Sequence, residues 1–339
     1  MRSSPMLQAP ARAMIEIADA GYALALDDTS WLEGVLEAAR PVLDHGTFIH
    51  GYVIDTRVRS VASIQMPAGA DFERHVRHAH PPPGDPDIGL TATPANLITS
   101  SQLYGVTGPE LARRCYFPDD FGIVDSVALS AGDPSGIACL LVGGLHRVAR
   151  FSRRDQAAWS RVASHLAAAM RLRERYRAAP HEASLDAADA LLDPRTFRVE
   201  DVNGDLAGHR TTIRNAASVL ATRHQTIDPE KLVAAWRALV AGRWSLIDTF
   251  DTDGKRFFVL RKNEPTAPGP EALVPLQRAI AAYIAMGHSN KAIAYHLGLS
   301  ESTVSRIVTV ICELLGVGHR EQLAQLASAL GAHPEGNQA

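Results

Sequence analysis

The chain has 339 residues, of which 46% are hydrophobic and 21% are charged. This length predicts two or three domains, and the composition is that of an ordinary folded protein. The formal net charge of −3 gives no sign of a strongly basic surface. Cys115, Cys139 and Cys312 lie far apart and form no CxxC pair. Their spacing excludes a disulfide framework and a zinc-finger pattern, and it predicts a reducing compartment, the cytoplasm.

No segment of the sequence predicts attachment to a membrane. The first thirteen residues lack the apolar core of a signal peptide. The apolar stretch Ile137–Leu145 is far shorter than the roughly 20 residues that a membrane helix needs, and it contains two glycines. We therefore interpret this stretch as a buried strand.

The first 177 residues predict helices at both ends and strands between them. Met14–Leu43 has helical periodicity, with a turn-like break at 27–30, and Phe48–Asp55 and Val58–Gln65 alternate as a strand pair. A short helix is expected over Asp71–His80, and 93–104 and 108–114 are expected to be helical or loop. The turn sequence 132–136 between two apolar runs predicts a hairpin of 125–131 with Ile137–Leu145.

A long helix is expected from Ser152 to Arg177. Ser152 is a favourable N-cap residue, and Asp155 stands three positions later, as in a capping box. An apolar stripe at helical spacing contains Trp159, Val162, Leu166 and Met170. We interpret the helix as one surface of a homodimer. The charged helix end at 171–177 is interpreted as a solvated face or as the flank of that dimer surface.

The middle of the chain predicts a smaller unit over 183–262. Strands are expected at 188–192 and 195–201 and again at 244–250 and 256–261, and helices at 208–223 and 229–240. The sequence Asp253-Gly254 is a strong hairpin signal. Residues 263–272 contain three prolines in a short stretch and predict a linker.

The last part of the chain, 273–330, predicts four short helices. Ser289 and Ser300 are suitable N-caps, while Gly287, Gly298 and Gly316 can end helices. The segment 287–323 resembles the LuxR/GerE-type DNA-binding domain without a gap. The matching positions are Gly287, Ser289, Asn290, Lys291, Ile293, Ala294, Leu297, Ser300, Thr303, Val304, Ile311, Leu315, Gly316, Val317, Arg320 and Leu323.

The resemblance implies a bacterial LuxR-family transcriptional regulator that binds double-stranded DNA. Some positions depart from the family pattern: Ser305 and Ile307 replace the usual Lys and His, and Leu314 replaces a usual lysine. Residues 271–330 hold four Arg or Lys and four Glu, so the unit is neutral without its histidines. The alternative is a protein-interaction regulator whose helix-turn-helix no longer binds DNA.

The predicted DNA contacts lie on the second and third helices of this unit. Ser302, Ser305, Arg306 and Thr309 recur at three-to-four spacing, so they share one face of the recognition helix. Arg306 is the expected guanine reader, because a guanidinium fits the O6 and N7 acceptors of guanine. Phosphate contacts are assigned to Asn290, Lys291 and Thr303. Val304, Ile307, Val308 and Ile311 are expected to face the core.

Upstream, the order of elements over 14–177 resembles a GAF-like sensory domain, and 183–262 more loosely resembles a small PAS-like domain. The expected fold class is therefore α+β, with an all-α four-helix C-terminal domain. This resemblance implies an unknown small-molecule or protein signal, but it names no ligand.

Other candidate chemistry has simpler interpretations. His75, His78 and His80 could share a metal, but no further ligand accompanies them, so solvated histidines are favoured. Cys139 is expected to be inert in a strand, and Cys115, beside two arginines, is the better redox candidate. Tryptophans 159, 236 and 244 could line a ligand pocket or pack in the core. The sequence contains no GxxxxGK[ST], GxSxG or HExxH motif, so we expect no enzyme activity, no cofactor and no metal.

Overall fold

The computed structural model describes residues 11–47, 49–55, 60–65, 96–115, 122–179, 188–202, 209–222, 244–250, 256–267, 269–270 and 272–331. Its helices are α1 (Ala11–Gly21), α2 (Asp28–Leu43), α3 (Ser100–Tyr104), α4 (Pro109–Cys115), α5 (Arg153–Ala178), α6 (Arg210–Thr222), α7 (Pro275–Ala285), α8 (Asn290–Leu297), α9 (Glu301–Leu315) and α10 (Arg320–Gly331). Its strands are β1 (Ile49–Asp55), β2 (Ser60–Gln65), β3 (Asn96–Thr99), β4 (Asp125–Gly132), β5 (Ile137–Leu145), β6 (Ala190–Leu192), β7 (Val199–Val202), β8 (Trp244–Phe250) and β9 (Arg256–Lys262).

The first sheet has the strand order β2-β1-β5-β4-β3, and all of its pairings are antiparallel. The predicted β4–β5 hairpin is confirmed, with Gly132 opposite Ala138. Its turn closes because the backbone N–H of Asp133 donates to the carbonyl of Ile137 at 2.8 Å. Gly136 has a φ of 98°, a conformation that residues with a side chain rarely adopt.

One face of this sheet packs on helices α2 and α5, because alternate side chains of each strand point to this face, and α1 packs on those two helices. Val53 of β1, Leu129 of β4 and Leu141 of β5 lie in the same buried cluster as Leu32 of α2. Strand β3 differs from expectation, since helix or loop was expected at 93–104. The segment 96–99 pairs with β4 before the chain turns into α3. Strand pairing with a distant segment overrides the weak local pattern.

Helix α5 begins at its predicted cap. Ser152 Oγ accepts a hydrogen bond from the backbone N–H of Asp155 at 3.2 Å, and the Asp155 carboxylate accepts one from the backbone N–H of Ser152 at 3.2 Å. The apolar stripe predicted as a dimer surface is buried inside this chain, where Trp159 and Leu166 belong to the main core. The prediction that this stripe forms a dimer surface is therefore wrong, because packing within the chain already covers it.

The solvated face predicted at the charged end of α5 is confirmed for Arg175 and Arg177, which are exposed. It is wrong for Arg171 and Arg173, which are buried. Arg171 pairs with Asp133 of the hairpin turn, with Nη2 2.6 Å from Oδ2. Arg173 lies with its guanidinium carbon 4.8 Å from the Trp31 ring centroid and donates to Asp28 at 3.1 Å. A single sequence pattern cannot distinguish such buried pairs from surface charges.

The second sheet has the order β7-β6-β9-β8 and is also antiparallel. Its buried side chains, including Leu192, Trp244 and Phe258, continue the same hydrophobic cluster that contains α5. Asn263, the first residue of the predicted linker, is buried. Its amide donates to the carbonyl of Ala168 at 2.8 Å, so the linker begins anchored to α5.

The four C-terminal helices enclose a separate apolar cluster around Ile280, Ile293 and Ile311. Their observed bounds confirm the predicted helix-turn-helix arrangement. Cys139 is buried as predicted, and burial raises the pKa of its thiol to about 12. Cys115 is half-buried.

Some expectations concern residues outside the described ranges: the helix 71–80 with His75, His78 and His80, the helix 229–240, and Trp236. Among the residues that the structure describes, no helix is long and apolar enough to cross a membrane. The same described residues contain no group of three or more His, Cys, Asp or Glu side chains arranged to hold a metal ion.

Candidate nucleic-acid interface

The helix-turn-helix is formed by α8, a three-residue turn and α9. Ser289 caps α8, its hydroxyl accepting from the backbone N–H of Ala292 at 3.2 Å. Gly298 ends α8 in the left-handed conformation with a φ of 63°. Ser300 then caps α9, accepting from the N–H of Thr303 at 3.1 Å. Glycine is favoured at 298 because a side chain is sterically strained in this left-handed conformation.

The two sides of α9 differ as the sequence predicts. Val304 and Ile311 are fully buried in the C-terminal core. Ile307 and Val308 are half-buried and pack against the same core. Opposite them, an exposed polar face carries Ser302, Ser305, Arg306 and Thr309. We call these four residues the reading face.

The hydroxyl groups beside this face already make local contacts. Thr303 is half-buried, and its hydroxyl lies 2.8 Å from Ser300 Oγ. Thr309 donates to the carbonyl of Ser305 at 3.2 Å, while Ser302 Oγ lies 2.9 Å from Ser300 Oγ. The exposed groups Ser302 and Thr309 can exchange these contacts for a partner in solution, whereas Thr303 supports the cap of α9.

The two residues predicted to contact phosphate at the start of α8 have different surroundings. Lys291 is exposed. Asn290 is half-buried, and its side-chain oxygen accepts from Arg320 at 2.6 Å, which leaves its amide N–H groups to meet a phosphate. Arg320 also donates to the carbonyl of His288. In the sequence, Arg320 was identified only as a position of the family pattern. In the structure its hydrogen bonds connect α10 to the start of α8.

The electrostatic character of this surface is modest. Residues 271–330 contain the cations Arg278, Lys291, Arg306 and Arg320. Lys291 and Arg306 are exposed, whereas Arg278 is half-buried. Burial lowers the pKa of the partly buried Arg320. Nonspecific affinity for DNA comes mainly from phosphate contacts, so a single copy of this unit should bind DNA weakly.

An apolar strip flanks the reading face on α9. Val310 is 41% exposed and Leu314 is 52% exposed. They follow one another at a spacing of four residues, so they lie on the same side of the helix. In the family pattern, the second of these positions usually carries a lysine. The strip is therefore a surface on which an apolar partner could replace water.

Comparison with known protein families gives a match for the C-terminal unit. Residues 271–327 match the family described as bacterial regulatory proteins, luxR family, or GerE. A search of curated proteins gave no match to the chain. We base the assignment on the family match, and it covers the helix-turn-helix and its flanking helices.

Two solved structures align with the chain at low similarity. The crystal structure of Escherichia coli SdiA in the space group P6522 is 11% identical, with a TM-score of 0.26, over 96% of this chain and 98% of that chain. The structure of SdiA in complex with octanoyl-rac-glycerol is 11% identical, with a TM-score of 0.25, over 99% of this chain and 100% of that chain.

Proposed function

We propose that the chain is a LuxR-type transcriptional regulator whose C-terminal unit binds double-stranded DNA in a sequence-specific way. One observation carries the proposal: α9 starts at a capped N-terminus and presents Ser302, Ser305, Arg306 and Thr309 together to solvent. The match of 271–327 to the luxR family supports it, because these regulatory proteins bind DNA through this unit.

The proposed docking places α9 in the major groove with its reading face against the base edges. The groove is about 12 Å wide and accepts one helix. Arg306 is long enough to reach O6 and N7 of a guanine, while serine and threonine hydroxyls can donate or accept at several bases. Lys291 and the amide of Asn290, at the N-terminus of α8, would meet the phosphates beside the groove.

The upstream residues would carry the sensory part of this regulator. We assign 14–177 to a GAF-like domain and 183–262 to a small PAS-like domain, with an unknown small-molecule or protein signal. The five-stranded sheet with helices α2 and α5 on one face supports the assignment of a sensory domain. The proposed site of action is the cytoplasm, where three thiols that form no disulfide stay reduced.

The neutral C-terminal unit favours a homodimer on DNA. Two copies would double the number of phosphate contacts and bind two half-sites about one helical turn apart. Since the apolar stripe of α5 is buried within the protomer, we place the dimer contact on the C-terminal unit. Light scattering of the full chain bound to its DNA should give about twice 36.5 kDa of protein.

The proposal is tested by capturing genomic DNA fragments with the purified full chain. Captured sequences are then measured by fluorescence anisotropy at two salt concentrations. We expect a shared sequence element and an affinity that falls as salt rises. Failure to bind any captured fragment at low salt would contradict the proposal.

A second candidate function is a protein-interaction regulator without DNA binding. The exposed strip of Val310 and Leu314 and the zero net charge of 271–330 favour it. The double variant Val310→Ser/Leu314→Ser distinguishes the two, because it should leave DNA affinity within about threefold if α9 reads DNA through Arg306. A partner protein that binds the wild type and not this variant, together with absence of DNA binding, would favour the second function.

A further inference from the structure

The C-terminal unit is docked on the upstream part of the chain through a buried contact region, which we call the docking seam. Ser164 Oγ of α5 lies 3.1 Å from His296 Nε2 of α8. The guanidinium of Arg161 lies 5.9 Å from the centre of the Tyr295 ring. A Cβ added at Gly132, at the end of β4, would lie 2.6 Å from Met286 Cε. The two parts of the chain are thus in close contact, with little spare space.

The C-terminal side of the seam is a cluster of aromatic rings. The ring of Tyr283 stacks on His296 with centroids 4.6 Å apart, and His288 meets His296 edge-on at 4.8 Å. All three side chains are buried. Within the described residues, the Tyr283 hydroxyl and His288 Nε2 are buried without a hydrogen-bond partner. Such a site tolerates neutral imidazoles and penalises charged ones.

The charges that face these imidazoles are mostly positive. From α5, buried Arg171 and His165 both act electrostatically on His296. From α10, Arg320 acts on His288. Asp133, in the β4–β5 turn, supplies a negative charge near Arg171, but Arg171 already neutralises it at 2.6 Å. Protonation of an imidazole in the cluster is therefore opposed by electrostatic repulsion. Among these groups no carboxylate is left to stabilise the added charge.

Tyrosines complete the surroundings of the cluster and stay neutral in the relevant range. Burial raises the pKa of Tyr283 well above its usual value. On the α5 side, Tyr22 lies with its hydroxyl 3.4 Å from His165 Nδ1, and burial raises its pKa to about 12. Neither phenol supplies a negative charge to an imidazolium below neutral pH.

We propose that the docking seam is an acid-sensitive latch: neutral His288 and His296 hold the C-terminal unit on α5, and their protonation releases it on its linker. The release moves one preformed unit away from another, because the four C-terminal helices have their own core. The proposal stands independently of whether α9 binds DNA.

The direction of the pH dependence follows from the two states. Burial, and then Arg320, lowers the pKa of His288 to about 4 in the docked state, and burial lowers that of His296 well below its usual range. In the released unit the His296 imidazole loses its contact with Ser164 and approaches the ordinary histidine pKa of about 6.5. The contribution of the neutral imidazoles to docking is therefore largest above about pH 6.5 and is lost as the pH falls toward 4. Protonation of His296 therefore favours release, and the released fraction should rise as the pH falls from 7.5 to 5.

Release would change how the reading face is held. Ser302, Ser305, Arg306 and Thr309 are exposed in the docked state, so the seam orients α9 and does not cover it. In a dimer, docking would fix the distance between the two copies of α9. Release would leave each C-terminal unit attached only through its linker, so this distance would no longer be fixed. This consequence rests on the proposed function.

The latch is tested on the full chain by small-angle X-ray scattering at pH 7.5, 6 and 5. We expect the radius of gyration to increase reversibly at pH 5, while circular dichroism shows that helix content is kept. The double variant His288→Gln/His296→Gln should stay compact at pH 5, because its amides cannot be protonated. The matched control is His319→Gln, whose histidine is exposed in the same unit; it should expand like the wild type.

Two results of the scattering experiment would overturn the proposal: a wild type that stays compact at pH 5, or a double variant that expands as the wild type does. If the double variant fails to fold, a measurement on the wild type still tests the latch. In the isotope-labelled full chain, the imidazole resonances of His288 and His296 should titrate together with the expansion, at a midpoint below 6.5. Titration of both at about 6.5, as for exposed histidines, without a change in size would equally refute the latch.

Discussion

Replacing Arg171 by methionine tests whether the ion pair between α5 and the β4–β5 turn supports the fold. The Arg171 and Asp133 side chains are 8% and 0% exposed, with Nε 2.8 Å and Nη2 2.6 Å from the same carboxylate oxygen. Arg171 also donates to the carbonyl of Asn263, where the linker begins. Methionine keeps much of the volume but leaves a buried carboxylate, which among the described residues still accepts from the backbone N–H of Ser135 at 2.9 Å.

Removing one partner of a buried ion pair costs about 3–5 kcal/mol. We expect Arg171→Met to lower the free energy of unfolding by that amount, measured by urea denaturation followed by circular dichroism. The control is Arg40→Met, whose partners Glu37 and Asp44 lie at the surface. Exposed pairs contribute about 0–1 kcal/mol, so this variant should be nearly as stable as the wild type.

A double replacement separates the charge from the shape of the site. Arg171→Met/Asp133→Leu removes both charges, so most of the lost stability should return, since apolar pairs often substitute for buried ion pairs. The reasoning is refuted if Arg171→Met is as stable as Arg40→Met. It is also refuted if the double variant is no more stable than the single one.

Two further predictions concern the packing of the strands and the start of α9. Gly143→Ala should destabilise the chain by more than about 3 kcal/mol, because its Cβ would lie 2.0 Å from the carbonyl oxygen of Leu43. The control Gly34→Ala has open space around it in α2 and should stabilise the chain by about 0.5–1 kcal/mol. Equal effects of the two substitutions in thermal unfolding would contradict this packing. Ser300→Ala should cost about 1 kcal/mol through loss of the α9 cap, whereas Ser300→Asp should keep the cap, and an unchanged melting temperature for the alanine variant would argue against it.

The sequence predicts those parts of the fold that have strong local signals. The Ser152 cap and the turn before Ile137 determine where α5 and β5 begin, because each depends on residues a few positions apart. The glycine at 298 and the Ser300 cap likewise predict the helix-turn-helix. The reading face follows from helical spacing alone, and the exposure of Arg306 agrees with it.

The remaining features depend on contacts between distant segments. Strand β3 exists because it pairs with β4, and Arg171 is buried because Asp133 and Asn263 approach it from different elements. His288 and His296 carry no sequence signal for a docking seam, since the hydrogen bond between His296 and Ser164 of α5 joins residues 132 positions apart. A run of charges or a lone histidine predicts solvent exposure unless the tertiary partner is known.

The central claim is that α9 reads DNA through Arg306, and anisotropy of the full-length wild type and three variants on one captured operator tests it most directly. Each base pair of the operator is varied in turn at two salt concentrations. Arg306→Ala should cost about 1–3 kcal/mol and relax specificity at a single base pair. Lys291→Ala should weaken all sequences alike and lower the salt slope by about one unit. The control Arg210→Ala, an exposed arginine on α6, should change neither quantity. An Arg306→Ala protein with wild-type affinity and unchanged preference at every base pair would contradict the account.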